Sequence, residues 1–392
     1  MKKVIETSVN SEIIKEVYFH AKLSLKNFNG MYLYTSVDKD LMFRIDSYNK
    51  GKNEETKDET ININLGKING IHDLFCLVDV NEFIEMGKQL DKKVDTSLYI
   101  DIDNGQLHIS NAKEFIIPIR IVSNDELKNI SMKCNDVLEQ DLDNSFSINS
   151  RQFTRDIKHI IGFTGKDKKY SSFNQNNVMF AIKDSKFYML ATDSYIAYKK
   201  LYNSVKTLKS KDLSVIISKD ACSKIARMKK DKNTKVKFID SGIVVQNGNY
   251  VLFSEYLNHS DDIVSKLIES KTDETMTFYK DEVKELYNFM TQCCKHKNSN
   301  IKSVVKNGTL KLECYDISSD ITLANFSIKD VPNRDFELLY NPKLVKTCLN
   351  VLKAYDFMNV EQNSEIQPTM LTSVDNNRDF VKVIFMPIRQ AK

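Results

Sequence analysis

The sequence predicts an α+β protein in which one domain, built of antiparallel sheet and two helices, occurs three times. The first observation is a set of three amphipathic helix starts that follow short strands. They begin at Val9 (VNSEIIKEV), Ile148 (INSRQFTRDI) and Tyr279 (YKDEVKELYNFM). An internal repeat of this kind outranks other sequence signals in deciding an architecture.

A second set of helix starts forms the other half of the repeat. These stretches begin at Val78 (VDVNEFIEMGKQL), Ile217 (ISKDACSKIARMKK) and Tyr340 (YNPKLVKTCLNVLK). In each of them the second residue, Asp79, Ser218 or Asn341, stands where a helix needs an N-cap oxygen.

The spacing of the two sets supports the repeat. Asn149 follows Asn10 by 139 residues, and Ser218 follows Asp79 by the same 139 residues. A third copy then follows from Tyr279. We therefore predict three domains, over residues 1–128, 141–268 and 275–392.

Each copy also has strand-like runs that end at an aspartate, namely Asp46, Asp193 and Asp316. Asp193 lies in ATDSYIAY, after the apolar run KFYML. We expect it to form a turn, with its carboxylate bonded to its own main chain two residues on. A hydrolase that uses Asp193 with Asp46 or Asp316 is the enzymatic alternative, but the repeat would place these carboxylates in separate domains.

Strands of alternating or continuous apolar character follow the second helix of each copy. The pairs Asn104-Gly105 and Asn247-Gly248 are typical hairpin turns. Each domain is therefore expected to be rich in antiparallel sheet.

Composition limits the class of protein. The chain has 392 residues, of which 41% are hydrophobic, enough to fill the cores of several domains. Its 57 Lys and Arg against 53 Asp and Glu give a charge of only +4, so attraction for phosphate depends on local placement of the lysines. The N-terminal residues lack a signal-peptide pattern and no apolar run is long enough to span a membrane, so a soluble cytoplasmic protein is expected.

Nothing in the sequence is typical of a catalytic or metal site. The seven cysteines form no CxxC pair, and phosphate-binding glycine loops and HExxH are absent. CCKHK at 293–297 is the one stretch that suggests a metal, but Cys293 and Cys294 would point about 100° apart on a helix. We expect no cofactor and no metal.

Three stretches are similar to motifs of one known family. ATDSYIAY stands where that family has an ATDGHRLA-like stretch, YNPKLVKTCLNVLK resembles its third-domain helix, and VIFMPIRQ resembles its MPMR or LPVR ending. With three copies of a two-helix domain, the chain resembles the bacterial β sliding clamp, the processivity subunit of DNA polymerase III. Two stretches depart from it: Ser194-Tyr195-Ile196 replaces Gly-His-Arg, and DDIV at 261–264 replaces an FPDY-like segment.

The resemblance implies a DNA-clamp fold, with sheets outside and two helices per domain lining a ring. It implies a non-enzymatic homodimer that encircles double-stranded DNA and holds DNA polymerase, with a clamp loader needed to open it. The expected dimer edges are KEFIIPI from Lys113 and DISSDITLA from Asp316. A clamp-like decoy or inhibitor that binds partners without closing a ring is the alternative.

A ring around DNA needs basic side chains on the helix faces opposite the core. Arg151, Arg155 and Lys158 have this spacing, opposite an expected core stripe of Phe153, Ile157 and Ile161. For a single helix an ordinary solvated face explains such a pattern, but several helices share it here. The other residues expected to face DNA are Lys15, Lys22, Lys26, Lys224, Arg227, Lys280, Lys284, Lys343, Lys346 and Lys353. Lys295 extends the face of Lys280 and Lys284, whereas the helix after Asp79 presents Glu82 and Glu85 instead.

In the family, short peptide motifs of partner proteins bind a groove between the second and third domains. Carried over to this chain, one wall consists of Thr192, Ser194, Tyr195, Ile196 and Ala197, and the opposite wall of Met386, Pro387, Ile388 and Arg389. Ile263, Leu267 and Ile268 would fill neighbouring positions, with Phe173 and Met370 as weaker candidates. Without the resemblance, the apolar C-terminal run would be interpreted as a core strand.

Overall fold

A computed structural model of the full chain gives the fold. It describes residues 4–36, 38–50, 56–68, 74–91, 93–123, 145–165, 176–203, 205, 212–228, 232–259, 275–318, 322–329, 336–362, 368–375 and 379–388. The chain divides into two compact units, Met1–Ile157 with Asp220–Asn258, and Lys158–Lys219 with His259–Lys392. The three predicted domain ranges stay a prediction.

The helices of the described residues follow the predicted starts. They are α1 (Ser11–Ser24), α2 (Val80–Gln89), α3 (Ser150–Ile161), α4 (Lys219–Ile225), α5 (Lys280–Cys293) and α6 (Pro342–Leu352). A 3₁₀ turn, Leu25–Asn27, extends α1.

Strands make up most of the remaining described chain. The first twelve are β1 (Val4–Val9), β2 (Phe28–Thr35), β3 (Asp40–Lys50), β4 (Thr56–Lys67), β5 (Phe75–Val78), β6 (Thr96–Asp101), β7 (Gln106–Ser110), β8 (Glu114–Ile121), β9 (Ser145–Asn149), β10 (Val178–Lys183), β11 (Lys186–Thr192) and β12 (Ile196–Tyr202). The others are β13 (Leu213–Ile217), β14 (Asn233–Phe238), β15 (Gly242–Asn247), β16 (Tyr250–Glu255), β17 (Asn258–His259), β18 (Thr275–Tyr279), β19 (Ser299–Lys306), β20 (Thr309–Asp316), β21 (Thr322–Lys329), β22 (Phe336–Tyr340), β23 (Phe357–Glu361), β24 (Thr369–Val374) and β25 (Phe380–Phe385).

The first unit contains one 12-stranded sheet in the order β1-β6-β7-β8-β5-β2-β3-β4-β16-β15-β14-β9. In the middle of this sheet β4 pairs with β16, with Ile61 opposite Leu252. A strand of the predicted first domain thereby continues the sheet of the predicted second domain.

The second unit contains two sheets. Strands β13, β10, β11, β12, β25, β24, β23 and β18 lie side by side in that order, and β21, β20, β19 and β22 form a second sheet. Here β12 pairs with β25, with Ile196 opposite Phe385. This pairing brings the end of the chain beside the predicted turn at Asp193.

The helices begin where their N-cap residues satisfy the first free main-chain N–H groups. The Asn10 side chain accepts a hydrogen bond from the main-chain N–H of Glu12, that of Asp79 from the N–H groups of Asn81 and Glu82, and that of Asn341 from the N–H of Lys343. Tyr279 forms a capping box with Glu282. The hairpins predicted at Asn104-Gly105 and Asn247-Gly248 also form, with both glycines at positive φ.

Asp46 does not end a strand, which corrects one expectation. It lies inside β3, where its carboxylate accepts hydrogen bonds from Arg44 at 2.8 Å and from the Thr60 hydroxyl at 2.9 Å. Pairing with a guanidinium is what makes a buried carboxylate tolerable in a sheet. Asp46 therefore differs in role from Asp193.

Candidate functional site

Asp193 closes the turn between β11 and β12, as predicted. Its Oδ1 accepts hydrogen bonds from the main-chain N–H groups of Tyr195 at 3.0 Å and Ile196 at 2.8 Å. Its own N–H donates to the carbonyl of Ile196 at 3.1 Å. Ser194 in this turn has a φ of +79°, which a residue with a Cβ rarely adopts. The carboxylate thus holds a strained turn in place.

The end of β25 lies against this turn. The N–H of Met386 donates to the carbonyl of Tyr195 at 2.9 Å, and the N–H of Ile388 donates to the carbonyl of Leu339 at 2.7 Å. The two predicted walls of the groove are therefore joined within the second unit, through main-chain hydrogen bonds.

Only some of the predicted groove residues present side chains to solvent. Tyr195 is 65% exposed and Ile388 36%, while Thr192 and Met386 are half-buried and Ser194 is exposed. We call these five residues the docking surface. Two of them, Tyr195 and Ile388, offer apolar area that a partner could cover.

Other residues predicted to contact a partner do not reach the surface. Ile196, Ala197, Pro387 and the weaker candidate Met370 are buried. They support the docking surface instead of forming it. Five more candidates lie outside the described residues: Ile263, Leu267, Ile268, Arg389 and Phe173.

Buried groups behind the docking surface hold the end of β25 in place. The rings of Tyr340 and Phe385 meet edge to face at 5.1 Å, and the Tyr340 hydroxyl is hydrogen-bonded to Thr369 at 2.8 Å. Burial raises the pKa of Tyr340, so this hydroxyl stays protonated. Burial, followed by the nearby Asp193 carboxylate, likewise raises the pKa of the Cys348 thiol on α6.

Helix α3 carries the predicted basic face. Arg151, Arg155 and Lys158 are exposed, and Phe153 and Ile157 on the opposite side are fully buried. The core stripe continues through Ile160, whereas the predicted Ile161 is only half-buried. An α-helix has 3.6 residues per turn, so the third residue on the face of Phe153 and Ile157 is Ile160.

In the first unit the basic residues of α1 divide into two groups. Lys22 and Lys26 are exposed. Lys15 is half-buried, and its ammonium donates to the carbonyl oxygens of Gly87 at 2.5 Å and Leu90 at 3.4 Å. Lys15 therefore caps the C-terminus of α2, where main-chain carbonyls lack helical partners.

The prediction that Lys224 faces DNA is wrong. Lys224 is 2% exposed, and its ammonium contacts the Glu59 carboxylate and the Ser47 hydroxyl. α4 has only seven residues, and its core-facing side includes Lys224 as well as Ala221. Arg227, just beyond this helix, is exposed as predicted.

In the second unit Lys284 and Lys343 are exposed, and Lys280, Lys346 and Lys353 are half-buried. Lys280 pairs with Asp356 at 3.1 Å, and Lys284 pairs with Asp281 at 2.8 Å. Lys346 and Lys353 lie over the ring of Tyr287, a residue that the sequence interpretation missed.

The described residues contain no group of three or more His, Cys, Asp or Glu side chains arranged to hold a metal ion. Asp316, like Asp193, bonds to its own stretch of main chain: its carboxylate accepts a hydrogen bond from the N–H of Ser318 at 2.8 Å. No helix in the described ranges is both long and apolar enough to cross a membrane.

Comparison by sequence finds no match, neither to a family model nor to a curated protein. Comparison by structure does. The DNA polymerase III subunit beta of Pseudomonas aeruginosa is 12% identical, with a TM-score of 0.73 over 99% of this chain and 100% of that chain. The beta sliding clamp of C. crescentus is 14% identical, with a TM-score of 0.75 over 100% of both chains.

A third solved structure is the Helicobacter pylori beta clamp bound to a DNA ligase peptide. It is 15% identical, with a TM-score of 0.73 over 98% of this chain and 100% of that chain. Fold similarity at such low identity explains why the sequence comparisons found nothing. The chain has the fold of the bacterial DNA polymerase III beta sliding clamps over its full length, as the resemblance of its sequence implied.

Proposed function

We propose that this chain is a DNA sliding clamp, a homodimeric ring that encircles double-stranded DNA and tethers DNA polymerase and other replication and repair proteins. The observation that carries the proposal is the full-length similarity of its fold to polymerase III beta clamps. A clamp acts by topology, so the proposal assigns no catalytic residue and no cofactor. It places the protein in the cytoplasm, with the DNA that is replicated.

Exposed basic residues on several helices support a DNA-facing role. Arg151, Arg155 and Lys158 on α3 are the strongest set, because all three side chains are exposed opposite a buried stripe. Lys22 and Lys26 on α1, and Lys284 and Lys343 in the second unit, add to it. Such side chains contact phosphates without reading sequence, which a sliding ring requires.

Two strand edges support closure by a second copy. In the described part of the chain β21 pairs with β20 alone. β8 lies between β7 and β5, but only its end from Ile119 to Ile121 pairs with β5, so Glu114–Ile117 has a paired strand on the β7 side only. β8 also exposes Ile116 and Ile121, at 52% and 51%. An open edge with exposed apolar residues is a site for pairing with another chain. Three domains of roughly 60° each close half a circle, so a ring needs two copies.

The docking surface supports peptide binding. Tyr195 and Ile388 expose apolar area on a backbone fixed by hydrogen bonds, and rigid apolar anchors dominate the affinity of short peptides. DNA polymerase and the clamp loader are the proposed partners, through short motifs. The DNA ligase peptide on the Helicobacter pylori beta clamp is an example of such a partner on a similar fold.

The test is retention on DNA of different topology. The protein is loaded onto nicked circular plasmid by a clamp loader with ATP and passed over a sizing column, before and after the plasmid is cut once. A closed ring stays on the circle and slides off the linear form, and light scattering gives the mass of two chains. Equal retention on both forms, or a monomeric mass, would contradict the ring and favour a partner-binding decoy.

A further inference from the structure

Two tyrosines occupy the same position on different helices, and each has two lysine ammonium groups near its ring. Tyr18 is the eighth residue after the N-cap of α1, and Tyr287 is the eighth residue after the N-cap of α5. In both cases two lysine ammonium groups lie over the ring. The corresponding position of α3, counted from Asn149, is the buried Ile157.

The distances are those of cation–π contacts. The Nζ atom of Lys353 lies 3.9 Å from the centroid of the Tyr287 ring, and that of Lys346 lies 5.8 Å away. Both lysines belong to α6 or its C-cap, so the tyrosine of α5 holds cations of the neighbouring helix. On α1, Lys15 and Lys22 lie 5.2 and 5.9 Å from the Tyr18 centroid.

The two tyrosines differ in whether the lysines beside them can still contact phosphate. Tyr18 is buried against Gly87 of α2, and Lys15 is already bonded to main-chain carbonyls. Tyr287 is half-buried, as are Lys346 and Lys353. A ring face binds an ammonium without neutralising its charge, so these two lysines keep their attraction for phosphate.

A lysine side chain loses rotamer freedom when it is fixed on a ligand. A lysine already resting on an aromatic ring has lost part of that freedom before the phosphate arrives. Preorganisation of this kind strengthens binding without adding a contact.

We propose that Tyr287 is a positioning residue for DNA, which holds the ammonium groups of Lys346 and Lys353 ready for phosphate contact. The inference rests on the proposed DNA-facing role of these helices. Tyr18 does the same for Lys22 alone, because Lys15 is committed to α2. Tyr287 itself touches no phosphate, and its aromatic ring, not its hydroxyl, is what matters.

The test uses the full-length protein and a fluorescent short duplex, titrated at several salt concentrations. Tyr287→Phe keeps the ring and is expected to bind as the wild type does. Tyr287→Leu removes the ring and is expected to weaken binding about two- to five-fold at low salt.

Two lysine-substituted variants, used as backgrounds for Tyr287→Leu, distinguish a positioning role of Tyr287 from a packing role. In Lys346→Gln/Lys353→Gln, the added Tyr287→Leu change should cost nothing further, because the cations that it holds are gone. In Lys295→Gln, a matched change at an exposed lysine of the same region, Tyr287→Leu should still cost its full two- to five-fold. An equal cost in both backgrounds, or equal binding by Tyr287→Phe and Tyr287→Leu, would reduce Tyr287 to a packing residue.

Nuclear magnetic resonance of lysines carrying ¹³C-methyl groups tests the contact in the wild-type protein, in case Tyr287→Leu fails to fold. The Lys353 signal should be displaced upfield from that of Lys295 by the ring current of Tyr287, and an undisplaced signal would overturn the inference. The circular-plasmid assay tests the closed protein ring separately. If the wild type is not retained on the circular plasmid but Tyr287→Leu still weakens duplex binding, the protein does not close around DNA and the positioning role of Tyr287 stands.

Discussion

The main-chain N–H of Met386 donates a hydrogen bond of 2.9 Å to the main-chain carbonyl of Tyr195. Neither side chain takes part in this bond. The side chains of the Asp193 turn can therefore differ from the clamp pattern while the junction of β12 and β25 is kept. This explains how Ser194-Tyr195-Ile196 can replace Gly-His-Arg, and it leaves Tyr195 free to face a partner.

Removing either apolar anchor of the docking surface should weaken peptide binding. Tyr195→Ala and Ile388→Ala are each expected to lower the affinity for a polymerase-derived peptide, one carrying Gln followed by Leu and Phe, by about tenfold. A buried anchor of an interface is typically worth 1–2 kcal/mol or more, hence this magnitude. Calorimetric titration of the peptide measures it. Tyr195 is 65% exposed, so Tyr195→Ala should hardly change melting, whereas Ile388→Ala should lower it slightly because Ile388 is only 36% exposed.

Val374→Ala serves as the matched control, since Val374 is also an exposed apolar residue of the second unit. It should leave peptide affinity unchanged. Deletion of Met386–Lys392 should abolish binding altogether, because it removes the main-chain link to Tyr195 as well as Ile388. Full peptide affinity in the deletion variant would place the docking site elsewhere.

Asp193→Ala should act on stability. Two main-chain N–H groups, those of Tyr195 and Ile196, lose their shared acceptor. The expected cost is about 1–2 kcal/mol of unfolding free energy, measured by urea titration. Ser194→Gly should have the opposite sign, because glycine accepts the φ of +79° without strain. If Asp193→Ala kept full stability but lost peptide binding, the carboxylate would belong to the docking surface instead.

Charge reversal on α3 should weaken DNA binding and its dependence on salt. Changing Arg151, Arg155 and Lys158 to Glu removes up to three phosphate contacts, each worth about 0.9 in the slope of log affinity against log salt. Arg151 and Lys158 can change without loss of stability because they are exposed, but Arg155 also pairs with the buried Asp156 at 3.1 Å, so Arg151→Glu/Lys158→Glu is measured beside the triple variant to separate DNA binding from stability. A control with Lys183, Lys186 and Lys235 changed to Glu, exposed lysines on strands, should keep the slope. The same slope in the α3 variant and the wild type would show that this face does not meet DNA.

The sequence predicted those elements whose signals are local. Asn10, Asp79 and Asn341 cap helices because a short polar side chain before an apolar period reaches the first free N–H groups. Asp193 was predictable for the same reason, since its hydrogen bonds reach only two and three residues along the chain.

The residues that the sequence placed wrongly depend on contacts distant in the chain. Asp46 follows an apolar run as Asp193 does, but it lies inside a longer strand, where its carboxylate accepts a hydrogen bond from Thr60 on the paired strand β4, 14 residues on. Lys224 and Arg227 lie three positions apart and look alike in sequence. Lys224 lies on the core-facing side of α4 and contacts Glu59, 165 residues earlier, whereas Arg227 lies beyond the helix and is exposed.

The titration of Lys224, buried against Glu59, should make the free energy of unfolding depend on pH. Burial lowers the pKa of Lys224 to about 7, so the carboxylate does not fully offset the lost hydration of the ammonium. In the unfolded chain the pKa returns to its ordinary value of 10.5. Between these two values the unfolded state binds more protons than the folded state, so the stability contributed at Lys224 rises as pH rises from 7 towards 10.5.

Lys224→Met removes this proton uptake. The difference in unfolding free energy between the wild type and Lys224→Met should therefore change with pH, in favour of the wild type, by up to about 1.4 kcal/mol per unit between pH 7.5 and 9.5. Lys26→Met, at an exposed lysine of the same unit, should give a constant difference. Below pH 7, where Lys224 is protonated in the folded state, Lys224→Met alone should also cost more than Lys224→Met with Glu59→Gln, since the single change leaves a buried carboxylate without its cation. A pH-independent difference for Lys224→Met would mean that Lys224 titrates alike in the folded and unfolded states, and that the pair is a solvated contact.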